Sequence, residues 1–259
     1  MNGILILDKP AGITSHDACD VVKGKLGIEK AGHAGTLDPD VTGVLVIALN
    51  DAVKILRLLS GLPKEYVGVA KLHQDISQEK LEQVIEKKFL GVIKQTPPKR
   101  SRVKRVERER EVFDFEVLEK NGRDFTFQVL CQAGTYIRKL MDDLGKELGI
   151  GCHMTSLRRI TQGPFSEKES IKVDDLKNEG KLKKSLLSIE ETIKRLKTKT
   201  IKLNEKQEED IKHGRFLDTK VDIEGGKIFV ALNHEGKVIA LMIKEGERIK
   251  PERVFINEI

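Results

Sequence analysis

A chain of 259 residues with 39% hydrophobic and 34% charged side chains can build one large domain or a main domain with a small appendage, which excludes disorder throughout. Its longest apolar runs, Ile4 to Leu7 and Val44 to Leu49, are far too short to span a bilayer, and no signal-like segment opens the chain, so a cytoplasmic protein with no membrane role is expected. The net charge of +6 is placed unevenly: between residues 94 and 110 eight basic side chains face only Glu107 and Glu109, a clustering that suits a phosphate backbone.

In chain order, Ile4 to Leu7 reads as a strand ended by Lys9-Pro10-Ala11-Gly12, after which Ser15 is expected to cap a helix that runs to Leu26 and stops at Gly27. The run from Ala31 to Gly43 has neither helical nor strand period and reads as a loop, followed by a strand from Val44 to Ala48. Glu65 to Leu72 alternates as a strand, and Leu81, Val84, Ile85 and Phe89 form the stripe of a helix closed by Gly91. Pro97-Pro98 keeps the start of the basic segment from being helical. Two strands, Val112 to Leu118 and Phe125 to Cys131, are predicted around a hairpin turn at Asn121-Gly122. Thr135 to Leu148 returns to helix. From residue 200 the texture changes, with a hairpin around 233–236 and a last strand from Arg253 to Ile256, so the domains are expected to be 1–199 and 200–259. Cys19, Cys131 and Cys152 lack the spacing of a disulfide scaffold or a zinc site, and neither metal nor cofactor is expected.

The chemistry concentrates in Gly32-His33-Ala34-Gly35-Thr36-Leu37-Asp38-Pro39, where a carboxylate, an imidazole, a hydroxyl and two glycines fall in eight residues without the spacing of a P-loop or a dinucleotide fingerprint. The run from Gly32 to Leu45 resembles the catalytic motif of the TruB and dyskerin family of RNA pseudouridine synthases. Leu7 to His16, Lys64 to Gly68, Gly134 to Leu140, His153 to Arg159 and Gly163-Pro164-Phe165 resemble further family motifs in the family's order. This implies an α+β pseudouridine synthase fold with a mixed, mainly antiparallel central sheet and flanking helices, and a small β-rich PUA-like domain over 200–259.

By this resemblance Asp38 is the catalytic aspartate, acting on ribose C1′ or C2′, and Arg138 holds it by a charge-assisted bond. Tyr66 stacks on the reacting uracil, His33 holds the flipped RNA, Leu157 lines the pocket and Lys9 shapes its wall. Lys99, Arg100, Arg102, Lys104 and Arg105 are expected to bind RNA backbone. Residues 70–77 and 95–105 resemble the archaeal and eukaryotic H/ACA branch, which implies guide RNA, target ribosomal RNA and small partner proteins. The short region from 200 onward instead favours stand-alone action on the transfer-RNA T arm, and a catalytically silent RNA-binding scaffold is the remote third possibility.

Overall fold

The computed structural model describes residues 1–97, 104–217, 225–246 and 248–255. The chain opens with β1 (Gly3–Lys9), α1 (Ser15–Leu26), β2 (Ala31–His33), β3 (Thr42–Leu49), α2 (Leu56–Ser60), β4 (Lys64–Leu72) and α3 (Gln78–Phe89). It continues through β5 (Gly91–Gln95), β6 (Arg108–Asn121), β7 (Asp124–Cys131), α4 (Ile137–Glu147) and the long β8 (Cys152–Gln162). Short pieces follow, β9 (Phe165–Ser166), β10 (Ile171–Lys172), α5 (Glu179–Ser185), β11 (Leu186–Leu187) and α6 (Ile189–Arg195). The last part holds β12 (Thr200–Lys202), α7 (Glu205–Lys212), β13 (Ile228–Leu232), β14 (Val238–Glu245) and β15 (Arg248–Val254).

Among the described residues, eleven strands form one sheet whose main path runs β10-β1-β3-β8-β4-β7-β6-β5. It is mixed: β1 pairs with β10 and β3 with β8 in parallel, while the other ladders are antiparallel. The expected α+β architecture with a mainly antiparallel central sheet is therefore present. β1 and β3 are apolar at consecutive positions because both of their faces are covered. Leu5, Leu7, Leu45 and Ile47 enter the core shared with α1, while Ile4, Ile6, Val44 and Val46 enter a second core on the other face. β4 buries only alternate residues, Lys64, Tyr66, Gly68, Ala70 and Leu72, and leaves Glu65, Val67, Val69 and Lys71 half-buried.

A second sheet runs β12-β13-β14-β15, beginning at Thr200. Phe229, Ala231, Ile239, Ala240, Met242 and Ile249 pack in a core of its own with Ile211 of α7. Val230, Val238, Leu241 and Phe255 instead join Ile4, Ile6, Val44, Val46 and Ala48 in the second core of the main sheet. The Lys54 ammonium lies 5.3 Å from the centre of the Phe255 ring, and Arg57 pairs with Glu252 across the same seam.

Four local expectations are corrected. Thr14, not Ser15, caps α1: its hydroxyl accepts from the Asp17 amide while the Asp17 carboxylate accepts from the Thr14 amide, a reciprocal pair that Ser15 has no acidic partner to form. The loop from Ala31 contains a short strand, because Ala31, Gly32 and His33 pair with Leu49, Ala48 and Ile47. The β6–β7 turn sits one residue later than the Asn121-Gly122 pair suggests. Asn121 stays in the ladder opposite Asp124, and Gly122 alone takes the positive φ, +54°, so one glycine at the first turn position suffices. The last strand starts at Arg248, earlier than expected, since Pro251 sits opposite Met242 at a register shift and does not end it; Ile256 lies outside the described residues.

Candidate active site

Asp38 stands on the connection between β2 and β3, and that connection is pinned on every side. Leu37 and Val41 are buried on either side of it, and the Val41 amide donates to the Asp38 carbonyl at 3.0 Å, closing a turn with Pro39 next to Asp38. Ser15 Oγ accepts from the Leu37 amide at 2.8 Å and donates to the Leu37 carbonyl at 3.1 Å. The Pro39 carbonyl accepts from the Gly12 amide and from Lys9 Nζ, both at 3.0 Å. The loop is thus held by its bonds to the Lys9–Ser15 segment as well as by proline.

Lys9 is fully buried, and its ammonium also donates to the carbonyls of Pro10 at 2.7 Å and Ile13 at 2.8 Å. Its three N–H donors are therefore spent on three carbonyls, one of them on the loop that carries Asp38. Burial pushes its amine below the ordinary lysine range, with Arg159 adding to that and the carboxylates of Asp40 and Asp38 opposing.

Arg138 lies in the first turn of α4, and its Nη2 donates to the Asp38 Oδ2. Both side chains are about half exposed, so the pair orients the carboxylate more than it stabilises the fold. The start of α4 is fixed from β5: the Gln95 side chain, 3% exposed, accepts from the Tyr136 amide at 3.0 Å and donates to the Tyr136 carbonyl at 3.3 Å. Sequence reasoning passed over Gln95, although a glutamine at the end of an apolar strand is a signal for such a clamp.

Tyr66 and Leu157 come from the paired strands β4 and β8 and are almost fully buried, at 8% and 9%. Tyr66 pairs with Arg159, and Gly68 with Leu157, which puts both side chains on one face two positions apart. A Cβ on Gly68 would lie 2.9 Å from Leu157 Cδ1 and 2.6 Å from Phe127 Cζ, so the glycine makes room for the leucine. Burial pushes the Tyr66 phenol upward, and the Arg159 guanidinium beside it pulls the other way.

His33 ends β2, half-buried, with Nδ1 buried and without a hydrogen-bond partner. Burial first, then Arg159 and His16, hold its imidazole below the ordinary histidine range, so it is neutral at neutral pH. A cavity of about 320 Å³ is lined by Asp40, Thr42, Val67, Gly68, Val69 and Leu157 among others, so of the sequence-predicted site residues it reaches Leu157 and not Asp38, Tyr66 or Arg138.

Of the basic segment, Lys104 and Arg105 are exposed, while Lys99, Arg100 and Arg102 lie outside the described residues. Arg158, quoted above only as part of a motif, joins strands: it binds Asp8 of β1 with two nitrogens at 2.9 and 3.2 Å and Glu167 at 2.8 Å. Its neighbour Arg159 points to the buried face, as does Gln162, and no periodicity in one sequence marks either as buried polar.

The chain is similar to known proteins over most of its length. Residues 23–137 match the model of the TruB family pseudouridylate synthase N-terminal domain, and residues 138–194 that of the tRNA pseudouridylate synthase B C-terminal domain. A probable tRNA pseudouridine synthase B of Methanopyrus kandleri is 52% identical over 178 residues, 69% of this chain and 52% of that protein. The Nanoarchaeum equitans counterpart is 45% identical over 204 residues, 75% of this chain and 58% of its own length. The chain thus spans about half the length of the curated relatives it matches. Among solved structures, a chain of a Cbf5-Nop10-Gar1 complex superposes with a TM-score of 0.86 at 35% identity, over 98% of this chain and 85% of the other. One from an H/ACA ribonucleoprotein bound to a substrate RNA gives 0.82 at 33%, with the same coverage. With its motifs on one loop, two strands and one helix start, and with these matches along its length, the chain belongs to the TruB and dyskerin family of pseudouridine synthases.

Proposed function

We propose that the chain is an RNA pseudouridine synthase that isomerises selected uridines, with Asp38 as its catalytic carboxylate. The observation that carries this is the Asp38–Arg138 pair, with the Asp38 carboxylate close enough to the buried Tyr66 for its charge to act on the phenol. The reaction breaks the bond from C1′ to uracil N1, turns the base and rejoins it through C5, whose proton is lost while N1 gains one. A carboxylate at the sugar serves either as nucleophile on C1′ or as base toward C2′, and the guanidinium keeps it charged and aimed. The uridine must leave its stack to reach this carboxylate. Tyr66 stacks on the base, Leu157 lines the other side, and His33, neutral with a free Nδ1, supports the flipped strand.

We further propose guide-dependent action as its main role, as catalytic subunit of an H/ACA ribonucleoprotein on ribosomal RNA, with small proteins such as the Nop10 and Gar1 of the matched complex as partners. Similarity to H/ACA chains over 98% of this chain supports it. The PUA-like region 200–259 would then hold RNA. The names of the curated relatives support a second reading, a stand-alone transfer-RNA T-arm enzyme.

Pseudouridine mapping after incubation with free transfer RNA, and with guide plus target RNA and partner proteins, tests both. A guided initial rate above the transfer-RNA rate is expected; the reverse order selects the second reading, and no product on either RNA rejects the enzyme. Asp38→Asn should slow the reaction by more than about 10⁴-fold while RNA affinity stays within about threefold. Turnover above about a tenth of the parent would remove Asp38 from its role. Replacing Arg100, Arg102 and Lys104 together should lower the salt slope of RNA binding by up to about two to three units, and an unchanged slope would make the segment a merely solvated face.

A further inference from the structure

Arg159 is the largest fully buried side chain of the described residues, 1% exposed, and none of the described carboxylates lies within ion-pair distance of it. A guanidinium has five N–H donors and no acceptor, and burying one without a counter-charge is costly unless its surroundings use it. Its Nε donates to the Val44 carbonyl at 2.7 Å and its Nη2 to the Gly35 carbonyl at 3.1 Å, so it grips the chain on both sides of the Asp38 loop. Gln162, from the same strand, donates to the adjoining Ala34 carbonyl at 2.9 Å. Arg159 also stands opposite Tyr66 in the β4–β8 ladder, with its charge beside the phenol. A hydroxyl next to an obligate donor can only accept from it, which leaves the phenolic hydrogen for another partner.

We propose that Arg159 is a positioning residue that fixes Tyr66 and the Asp38 loop relative to each other, gripping the loop carbonyls while presenting its cation to the Tyr66 hydroxyl. The other groups facing that phenol are Cys131 of β7 and Asp38 itself, both of which oppose a phenolate, so Arg159 is the cation available to favour one. Burial first, and the same charge in addition, push Lys9, His33 and Lys64 toward their neutral forms. The inference deepens the synthase assignment and rests on it for the consequence in rate, though not for the contact.

Only two tyrosines, Tyr66 and Tyr136, and no tryptophan are present, so ring-carbon-labelled tyrosine gives two nuclear magnetic resonance signals, assigned with Tyr136→Phe. Arg159→Gln, Arg159→Lys and Gln162→Leu are compared with the parent by this signal, by RNA affinity and by single-turnover pseudouridine formation. Arg159→Gln is expected to move the Tyr66 signal and to slow turnover about 10²-fold with affinity within about threefold, the scale of a small misplacement of reacting groups. Arg159→Lys should recover about tenfold of that loss, staying slower than the parent, and bring the signal back only part of the way. Gln162→Leu, which releases the loop without touching the cation, should lower stability and leave the Tyr66 signal in place. A folded Arg159→Gln with parental rate, a Tyr66 signal that does not move, or a loss shared equally by RNA affinity overturns the proposal. If Arg159→Gln does not fold, Arg159→Lys decides: a rate and signal both identical to the parent's overturn it, and a slower rate with a displaced signal supports it. A parent inactive on every RNA would reject the synthase assignment, while the resonance, which needs no substrate, would still decide the contact.

Discussion

His33 shows how one residue's surroundings set its behaviour. Its imidazole is half-buried, meets the positive charge of Arg159, and has no acid partner to favour the cation, so the folded state prefers the neutral ring. The unfolded chain takes up its proton at the ordinary 6.5, before the folded one does. The stability this group contributes is therefore complete above that pH and is lost as pH falls through it. Urea midpoints should be lower at about pH 5 than at about pH 7.5, and His33→Gln should remove part of that difference; an identical pH slope in the variant would count against it. His33 and Asp38 were legible as chemistry because glycine, histidine and aspartate crowd one short loop. Lys9 was legible only as a motif member, since nothing in a sequence shows that an ammonium's donors are taken by three carbonyls.

At the scale of elements, the site depends on a seam. β3 and β8 pair in parallel through only Thr42↔Arg158 and Gly43↔Arg159, yet this seam joins the Asp38 loop to the strand that carries Leu157. A Cβ at Gly43 would meet the Arg159 carbonyl oxygen at 2.2 Å, and its φ of +101° suits glycine alone. Gly43→Ala should cost more than about 2 kcal/mol and reduce activity with it. Gly24, inside α1 with open space around it, offers the opposite case: Gly24→Ala should stabilise by about 0.5–1 kcal/mol. Chemical denaturation measures both, and equal effects at the two glycines would contradict the seam. Helices α1, α3 and α4 and strands β4 and β7 were readable from their periodicity and end signals, whereas the short helices α2, α5, α6 and α7 were not. The central strand β8 escaped because its polar residues face inward, where Arg159 and Gln162 break the alternation that marks a strand.

For the whole molecule, the main sheet and the C-terminal sheet share a core. Val230, Val238, Leu241 and Phe255 cover the face of β1 and β3 that the opening apolar runs would otherwise expose. Ending the chain after Lys199 should therefore lower the thermal midpoint by on the order of 10 °C or make the product insoluble, since several large side chains lose their burial. A truncated protein with the parent's midpoint would show that the C-terminal sheet adds nothing to the stability of the rest. No helix among the described residues is long and apolar enough to cross a membrane.

The sequence by itself determined the order of α1, α3, α4 and of strands β1, β3, β4, β6 and β7, through local periodicity and glycine and proline punctuation, and, through contiguous motifs that resemble a known family, the fold class and the family. It also named Asp38 and Arg138, one hundred residues apart, but only by resemblance to a family. Tertiary structure decided which polar side chains face inward and what they hold: Lys9 on the loop, Gln95 on the start of α4, Arg158 across β1 and β8, and Arg159 on the carbonyls of Gly35 and Val44. It also decided that the second core is closed by residues beyond 200. The physical reason is that packing chooses the partners: a buried donor is satisfied by whichever carbonyl or carboxylate comes within about 3 Å, and an apolar face by whichever side chains cover it, and those partners, such as Pro39 for Lys9, Asp8 for Arg158 and Phe255 for Ile4, lie far away in sequence.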